Sequence, residues 1–458
     1  MFFFVIFAVA APLITPYDPI NSTNLAGPKA APIWMTLFPG YQDASRNIAP
    51  IEDPSLSSLS SFHQWQTSSL VSYSEESGNP VDGNLGCMIF QFETSSSSQH
   101  EITERASVSF QSMHQAPERF TLDIALQIEN RESIDGKISA LIKDPEGNEY
   151  EIWENKLEDT SGEWTKPSSR IDSWSPQLRL NIAKDVLGSA EEKIFSSKGT
   201  YSLILQIVVF PDYSKKADLI VYLDDVDFRC YGAVFGYLGT DQFGADLFSQ
   251  LVYGARLSLL IGILASVLSV SIGTFMGIMA GYRRGVVDEI LMRFNDVLMV
   301  LPGLPLLLVL IAVLGPSIWN IILLIGLLGF MSVARVIRSQ VLSLRERTFV
   351  EAAKALGAGT NWIMFRHLLP NVISLAFAQL ALTVPASIAS EASLSWLGLG
   401  DPTVPTWGRM LYLAHYYGVL REWWWIVFPG LCIALISISF IFVGHAMDEI
   451  LNPKLRQR

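Results

Sequence analysis

The chain has 458 residues, half of them hydrophobic, and its mean hydropathy is positive. This composition is typical of a polytopic membrane protein and argues against a single soluble domain. The net charge of −12 is unevenly spread, because residues 16–240 hold 32 acidic and 17 basic side chains and the remainder holds 12 and 15. Neither part has the lysine and arginine stripe of a nucleic-acid-binding protein, so we expect no nucleic-acid partner.

The first predicted element is an apolar segment, residues 1–17, that has no charged side chain. Its most apolar part, residues 1–14, is shorter than the about 20 residues that cross a hydrocarbon core. Three interpretations stay open: a membrane helix that begins upstream, a short helix extended to Tyr17, and a signal peptide cleaved near residues 8–10 but lacking a basic start. We assign residues 1–20 to a first transmembrane helix.

Residues 21–237 do not resemble membrane segments and are predicted to form short strands. Residues 120–128 alternate apolar and polar side chains, which is the period of a half-buried strand. The predicted strands cover residues 120–128, 138–142, 150–153, 178–182, 201–210 and 219–228. Strands at this spacing with little helix predict an inserted β-sandwich. Its last strand, at residues 222–228, resembles the final strand of jelly-roll carbohydrate-binding-like domains.

Two of the three cysteines, Cys87 and Cys230, fall near the beginning and the end of this β-rich segment, whereas Cys432 lies in a predicted span. An extracytoplasmic location permits oxidation, and a bond that closes so long a loop stabilises a domain by ~5 kcal/mol in the chain-entropy model. We therefore predict a disulfide between Cys87 and Cys230. Two buried free thiols are the alternative, and the Cα separation, which must be about 7 Å or less, decides between them.

Residues 238–458 form the predicted membrane domain. Thr240 or Asp241 is predicted to cap a short amphipathic helix at the outer interface, before the chain enters lipid. The runs without a charged side chain are residues 257–282, 297–334, 368–390 and 423–444. The run at 297–334 is long enough for two spans and has a turn at residues 315–317, so five helices are expected here and six in all.

Basic residues predict the orientation of these helices. The loop at residues 283–293, the loop at 335–366 and the tail at 454–458 are rich in lysine and arginine, whereas the loops at Gly315 and at 391–422 are poor in them. The first group therefore lies in the cytoplasm. This predicts a multi-pass protein of the cell membrane with both termini cytoplasmic and residues 21–237 extracytoplasmic.

One cytoplasmic stretch, residues 351–371, is predicted to form two short helices joined at a glycine hinge. The first helix is rich in alanine and leucine, and Gly357 or Gly359 can take the left-handed conformation that ends it. Thr360 or Asn361 can then cap the second helix. An ordinary helical hairpin is the alternative interpretation of this stretch.

The sequence Glu351-Ala352-Ala353, followed by Gly357 and by Leu369-Pro370, resembles the EAA loop of ABC-importer permeases. The segment LGTDQFGAD at residues 238–246 and the ending HLLPN at residues 367–371 are similar to the dipeptide, oligopeptide and nickel class. Ala245 stands where that class has an arginine, so the role of that arginine is not carried over. The resemblance covers residues 1–20 and 238–458.

The resemblance implies a type I ABC importer permease, a polytopic α-helical protein with the coupling loop at residues 335–371. It also implies a second homologous permease, two ABC ATPases and an extracytoplasmic binding protein that delivers a peptide, an oligosaccharide or a nickel complex. No cofactor is expected, and no GxxxxGK[ST] phosphate loop occurs in the sequence, so ATP hydrolysis is expected in the partners. The expected ATPase-coupling residues are Glu351, Ala352, Ala353, Gly357, Leu369 and Pro370.

Two other classes compete with this interpretation. A membrane-anchored extracellular ligand-binding or sensor protein would use the β-rich segment for recognition, but we expect no signalling module after the last span. If the protein were a channel or a secondary transporter, ionisable side chains would be expected within the spans. The uncharged runs described above do not contain them.

Overall fold

The fold is that of a computed structural model. It describes residues 2–79, 86–94, 101–130, 134–160, 162–166, 171–185, 187–210, 217–418 and 421–451. The chain divides into two units: Met1–Ser22 with Asp246–Arg458, here called the membrane unit, and Thr23–Ala245, here called the β-rich unit. Residues 238–245, which were expected with the membrane domain, belong to the β-rich unit. The predicted cytoplasmic tail at 454–458 lies outside the described residues.

The N-terminal segment forms two short helices, α1 (Phe2–Val9) and α2 (Ala11–Ile14), and no single helix of spanning length. Pro12 lies in the first turn of α2, where its missing N–H cannot continue the hydrogen-bond ladder of α1. The hydroxyls of Thr15 and Ser249 are hydrogen-bonded to each other. The predicted transmembrane helix at residues 1–20 is therefore interrupted in the structure.

Antiparallel strands make up the β-rich unit. They are β1 (Gln66–Thr67), β2 (Val71–Ser74), β3 (Cys87–Thr94), β4 (Ile102–Ser112), β5 (Arg119–Glu129), β6 (Asp135–Lys143), β7 (Glu149–Lys156), β8 (Ile171–Asp172), β9 (Gly199–Phe210) and β10 (Ala217–Tyr231). One sheet has the order β1-β4-β9-β6-β7 and the other β2-β3-β10-β5-β8. Their buried side chains form one shared core, so the two sheets make a sandwich.

Three short helices accompany these strands: α3 (Leu59–Phe62), α4 (Pro176–Ala183) and α5 (Ala190–Ile194), besides a 3-10 turn at Ile33–Leu37. The strand predicted at residues 178–182 is wrong, because these residues lie in α4. Ser175 caps that helix, since its hydroxyl accepts a hydrogen bond from the backbone N–H of Leu178. Leu178 and Ile182, four residues apart, are buried on one side of the helix, whereas Leu180 is exposed.

The predicted disulfide between Cys87 and Cys230 is also wrong, because both are free, buried thiols. Met88 pairs with Leu223 of β10, which places Cys87 beside Asp224 on that strand. Cys230 lies further along β10, where it pairs with Phe120 of β5. The strand between positions 224 and 230 spans roughly 20 Å, far beyond the limit for a disulfide. Burial raises the pKa of the Cys87 thiol to about 12.

The remaining helices follow the β-rich unit. They are α6 (Leu247–Arg283), α7 (Val286–Val300), α8 (Gly303–Leu314), α9 (Ile318–Leu344), α10 (Thr348–Ala355), α11 (Thr360–Ile363), α12 (Leu369–Trp396), α13 (Trp407–Tyr416) and α14 (Trp423–Leu451), with a π-helical turn at Met364–Leu368.

Four helical segments of the described chain are long and apolar enough to cross a membrane. They are Leu247–Arg283, Ile318–Leu344, Thr360–Trp396 and Trp423–Met447. Helices α7 and α8 together form a fifth candidate that is bent by 88° at its break, where Pro302 interrupts the ladder. Within the described residues the structure therefore supports four or five spans of the six predicted.

Helix α6 begins at a different residue from the predicted one. The carboxylate of Asp246 accepts hydrogen bonds from the backbone N–H groups of Phe248 and Ser249, and the helix then continues without a break for 37 residues. The predicted cap at Thr240 or Asp241 and the separate interfacial helix are therefore wrong. Asp241 instead closes a tight turn by accepting hydrogen bonds from the N–H groups of Phe243 and Ala245.

Three glycines spaced four residues apart bring α6 and α9 into backbone contact. A Cβ atom on Gly273 would lie 2.7 Å from the Cβ of Val333, and one on Gly277 would lie 2.7 Å from the carbonyl oxygen of Ala334. A Cβ on Gly281 would lie 2.9 Å from Val341. Small residues of this kind let two helices approach closely in lipid, where the hydrophobic effect does not drive their association.

We predict that Gly277→Ala destabilises the membrane unit, because its methyl group would meet backbone atoms of α9. The expected cost is about 1–3 kcal/mol, as for an overpacked core. Gly430→Ala in α14 is the matched control, since a Cβ there meets no atom of the described residues within 4 Å. Thermal unfolding in detergent should show a lower midpoint for Gly277→Ala alone, and equal midpoints for the two variants would contradict the close packing of α6 and α9.

Candidate functional site

The hinge predicted at residues 351–371 is present and ends α10 with a Schellman motif. Gly357 has a φ of +84°, and its N–H donates to the carbonyl oxygen of Lys354. The N–H of Ala358 donates to the carbonyl oxygen of Ala353. Gly357 is therefore the hinge glycine. Gly359, at a φ of −68°, is the N-cap of α11, so the cap predicted at Thr360 or Asn361 is wrong.

One face of α10 is fixed to the membrane helices. Val350 and Ala353 are buried in an apolar cluster that also contains Tyr282 of α6 and Val341 of α9. Ile363, Met364 and Leu368 enter the same cluster from α11 and the π-helical turn. The hinge is therefore packed against the ends of α6 and α9 and does not move freely in solvent.

Polar contacts reinforce this packing at the end of α6. The guanidinium of Arg345, directly after α9, donates a hydrogen bond of 3.1 Å to the carbonyl oxygen of Tyr282. The ammonium of Lys354 lies 5.3 Å from the centre of the Tyr282 ring, which is the distance of a cation–π contact. In addition, Arg338 of α9 forms a two-pronged ion pair with Asp288 of α7.

The opposite side of the hinge is an open groove of about 680 Å³. It is lined by Phe349, Ala352, Ala353, Leu356, Gly357, Ala358, Gly359, Trp362 and His367. Leu356 is 89% exposed and Trp362 is 53% exposed. The groove is therefore mostly apolar and open at the surface, which is the character of a protein-binding surface.

His367 is a polar residue in the lining of this groove. Its ring packs edge-on against Trp362, with 4.7 Å between ring centres, and lies 6.1 Å from Phe349. The Nε2 atom is buried and has no hydrogen-bond partner among the described residues. The π-helical turn at Met364–Leu368 places His367 here, and such turns are frequent at functional sites.

The predicted site residues separate into two groups. Ala352, Ala353 and Gly357 line the groove, whereas Glu351 is exposed in the first turn of α10 and outside the lining. Leu369 and Pro370 begin α12, also outside the groove. Phe349, Leu356, Trp362 and His367 also line the groove but are not among the predicted coupling residues, although Phe349, Ala352 and Leu356 have the i, i+3, i+7 spacing of one helix face.

Known proteins resemble the part of the chain that contains the groove. A family model described as "Binding-protein-dependent transport system inner membrane component" matches residues 273–457. A dipeptide transport system permease protein of Alkalihalophilus pseudofirmus is 36% identical over 221 residues, which are 48% of this chain and 72% of that protein.

Two further relatives have similar coverage. An oligopeptide transport system permease protein of Bacillus subtilis is 38% identical over 226 residues, 48% of this chain and 72% of that protein. A glutathione transport system permease protein of Pectobacterium atrosepticum is 34% identical over 255 residues, 56% of this chain and 84% of that protein.

We predict that Gly357→Ala loosens the hinge and that Gly359→Ala does not. Among the residues that the structure describes, no atom lies within 4 Å of a Cβ at either position, so the two positions differ in their backbone conformation. An L-residue at the positive φ of Gly357 costs about 1–2 kcal/mol, which raises the population of the opened hinge about fivefold or more. Tryptic cleavage after Lys354 in detergent should become faster in Gly357→Ala only, and equal rates would refute the strain argument.

Proposed function

Because this chain belongs to the family of binding-protein-dependent transport permeases, the membrane subunits of ABC importers, we propose that the groove at α10 and α11 is the surface on which a partner ATPase acts. The observation that carries the proposal is the exposed apolar groove beside Glu351-Ala352-Ala353. The competing interpretation, a sensor that is only anchored by its helices, gives no reason for such a groove.

The chemistry of the groove supports a protein partner. Exposed, charged Glu351, Lys354 and Arg366 lie in the same segment, which favours an aqueous location outside the hydrocarbon core. In water, the exposed side chains of Leu356 and Trp362 gain from burial against a partner. An inserted loop or helix of the ATPase that also supplies a hydrogen-bond group to Nε2 of His367 fits this lining.

The residues predicted for coupling take different roles in this proposal. The small side chain of Ala352 leaves room for a partner backbone to approach the groove. Glu351 places a negative charge at the adjacent rim. Gly357 fixes the angle between the two groove walls. Leu369 and Pro370 set the start of α12 and act through the position of that helix.

We propose that transport requires a second homologous permease, two ATPase subunits and an external binding protein. ATP hydrolysis would take place in the ATPase subunits and move α10. The solutes would be peptides or related molecules, since the relatives are named for dipeptides, oligopeptides and glutathione. The chain would lie in the cell membrane with the groove and both termini on the cytoplasmic side and the β-rich unit outside.

We predict that Glu351→Lys lowers uptake by about tenfold or more, because it reverses the charge at the rim of the groove. Uptake and ATP hydrolysis are measured with the complete importer in proteoliposomes. Glu346→Lys is the matched control, since Glu346 is an exposed glutamate just before α10 that pairs with Arg284. Uptake by Glu351→Lys equal to that by Glu346→Lys, with both proteins inserted normally, would refute the assignment.

We predict that protease added to intact right-side-out vesicles cleaves within the β-rich unit and spares the loop at Glu351. Exposed strand-connecting segments carry lysine and arginine, for example at Lys184 and Lys193. Peptides released from residues 23–245 would support the proposed orientation. Cleavage of the Glu351 loop together with protection of the β-rich unit would reverse it.

A further inference from the structure

The carboxyl group of Glu391 is buried inside the membrane unit. It lies near the C-terminal end of α12, away from the groove, which lies near the N-terminal end. Glu391 was expected in an outer loop, but it belongs to the last turns of α12 and only 2% of it is exposed. Its Oε1 atom accepts hydrogen bonds from the hydroxyls of Ser395, at 2.7 Å, and Thr406, at 2.8 Å. An ionisable side chain buried in a membrane helix is costly and is commonly functional.

The hydroxyl of Thr406 contacts Glu391 and also caps α13. Thr406 is the N-cap of α13, and its hydroxyl accepts a hydrogen bond from the backbone N–H of Arg409 while donating its own proton to Glu391. A Cβ on Gly408 would lie 2.8 Å from the Cα of Ala392. One hydroxyl thus joins the cap of α13 to the carboxyl group of α12, and the two backbones touch beside it.

The next residue, Trp407, joins the same end of α13 to α6. It is fully buried, and its backbone N–H donates to the hydroxyl of Ser258 while its indole N–H donates to the carbonyl oxygen of Leu251. A Cβ on Gly254 would lie 2.9 Å from the Trp407 ring. Glu391 and Trp407 therefore hold the first turn of α13 against two membrane helices.

The polar cluster around Glu391 is incompletely satisfied. Its Oε2 atom is buried and has no hydrogen-bond partner within the described residues, and none of the ion pairs found there includes Glu391. A carboxyl oxygen without a partner reduces the net gain of the two hydrogen bonds made by Oε1. The two hydrogen bonds of Oε1 thus fix the position of α13, but they stabilise its attachment less than a carboxyl group with both oxygens paired would.

The groove and Glu391 lie on one helical segment. Residues 360–396 run from α11 through the π-helical turn into α12 and together form one candidate membrane span of 37 residues. This helical segment is about 55 Å long at a rise of 1.5 Å per residue. We propose that Glu391 is a positioning residue that makes α13 follow α12 when the ATPase moves the groove end. This inference rests on the proposed function of the groove.

The inference is tested by distances between spin labels on the two helices in the complete importer in nanodiscs. Labels at Leu397 and Tyr416, both exposed, report on α12 and α13 in the nucleotide-free and the ATP–vanadate-trapped states. With Glu391 and Thr406 unchanged, we expect one narrow population of label distances in both states. Glu391→Gln and Thr406→Val should lose that single population in the trapped state only.

Two variants keep the test interpretable. Thr406→Ser retains the hydroxyl and should keep the single population. Ser393→Ala removes a neighbouring exposed hydroxyl that donates to the carbonyl oxygen of Ala389. A single population in both states for Glu391→Gln and Thr406→Val overturns the inference. Equal broadening in both states overturns it too, because the contact would then serve folding alone.

The proposed function can fail separately from this inference. If Glu351→Lys leaves ATP hydrolysis and uptake unchanged, the groove is not the coupling surface, whatever the label distances show. If Glu351→Lys uncouples transport while the Glu391 variants keep the single population, only the role of Glu391 is refuted.

Discussion

The backbone contact between α6 and α9 is the constraint on which the rest of the membrane unit depends. Gly273, Gly277 and Gly281 leave no room for a side chain between these helices. Dispersion over such a close contact replaces the hydrophobic driving force that lipid does not provide. Because α10 follows α9 after a short turn, this contact also brings Val350 and Ala353 onto the end of α6, where Tyr282 completes the cluster.

The helical period of α10 separates its two faces. Val350 and Ala353 enter the cluster, whereas Phe349, Ala352 and Leu356 line the groove, and Gly357 at its positive φ then reverses the chain. An exposed leucine beside an exposed tryptophan is unfavourable for an isolated chain in water and favourable for a complex. The helical period of α10 therefore separates the face that anchors it from the face that stays exposed.

The sequence allowed the local features to be predicted more readily than the long-range ones. The hinge at Gly357 was predictable because a left-handed glycine after an alanine-rich helix is a local preference. Residues 178–182 were misassigned because Leu178 and Ile182 fit a strand and a helix equally well. The distance between Cys87 and Cys230 depends on the register of β3 and β5 on β10, and the burial of Glu391 depends on Thr406 of the following loop. Neither follows from residue spacing.

Two interruptions of α-helical geometry lie between the groove and Glu391, and both are supported by α6. The first is the π-helical turn, whose Met364 and Leu368 belong to the cluster with Tyr282. The second is Pro385 inside α12, where a hydrogen bond of the ladder is missing. Beside it, Ile388 lies so close to α6 that a Cβ on Gly262 would be 2.5 Å from its side chain. Both weak points of α12 are packed against α6. In the proposed mechanism a displacement at the groove would therefore reach Glu391 through the packed pair α6 and α12, and α12 would not have to act as a rigid rod.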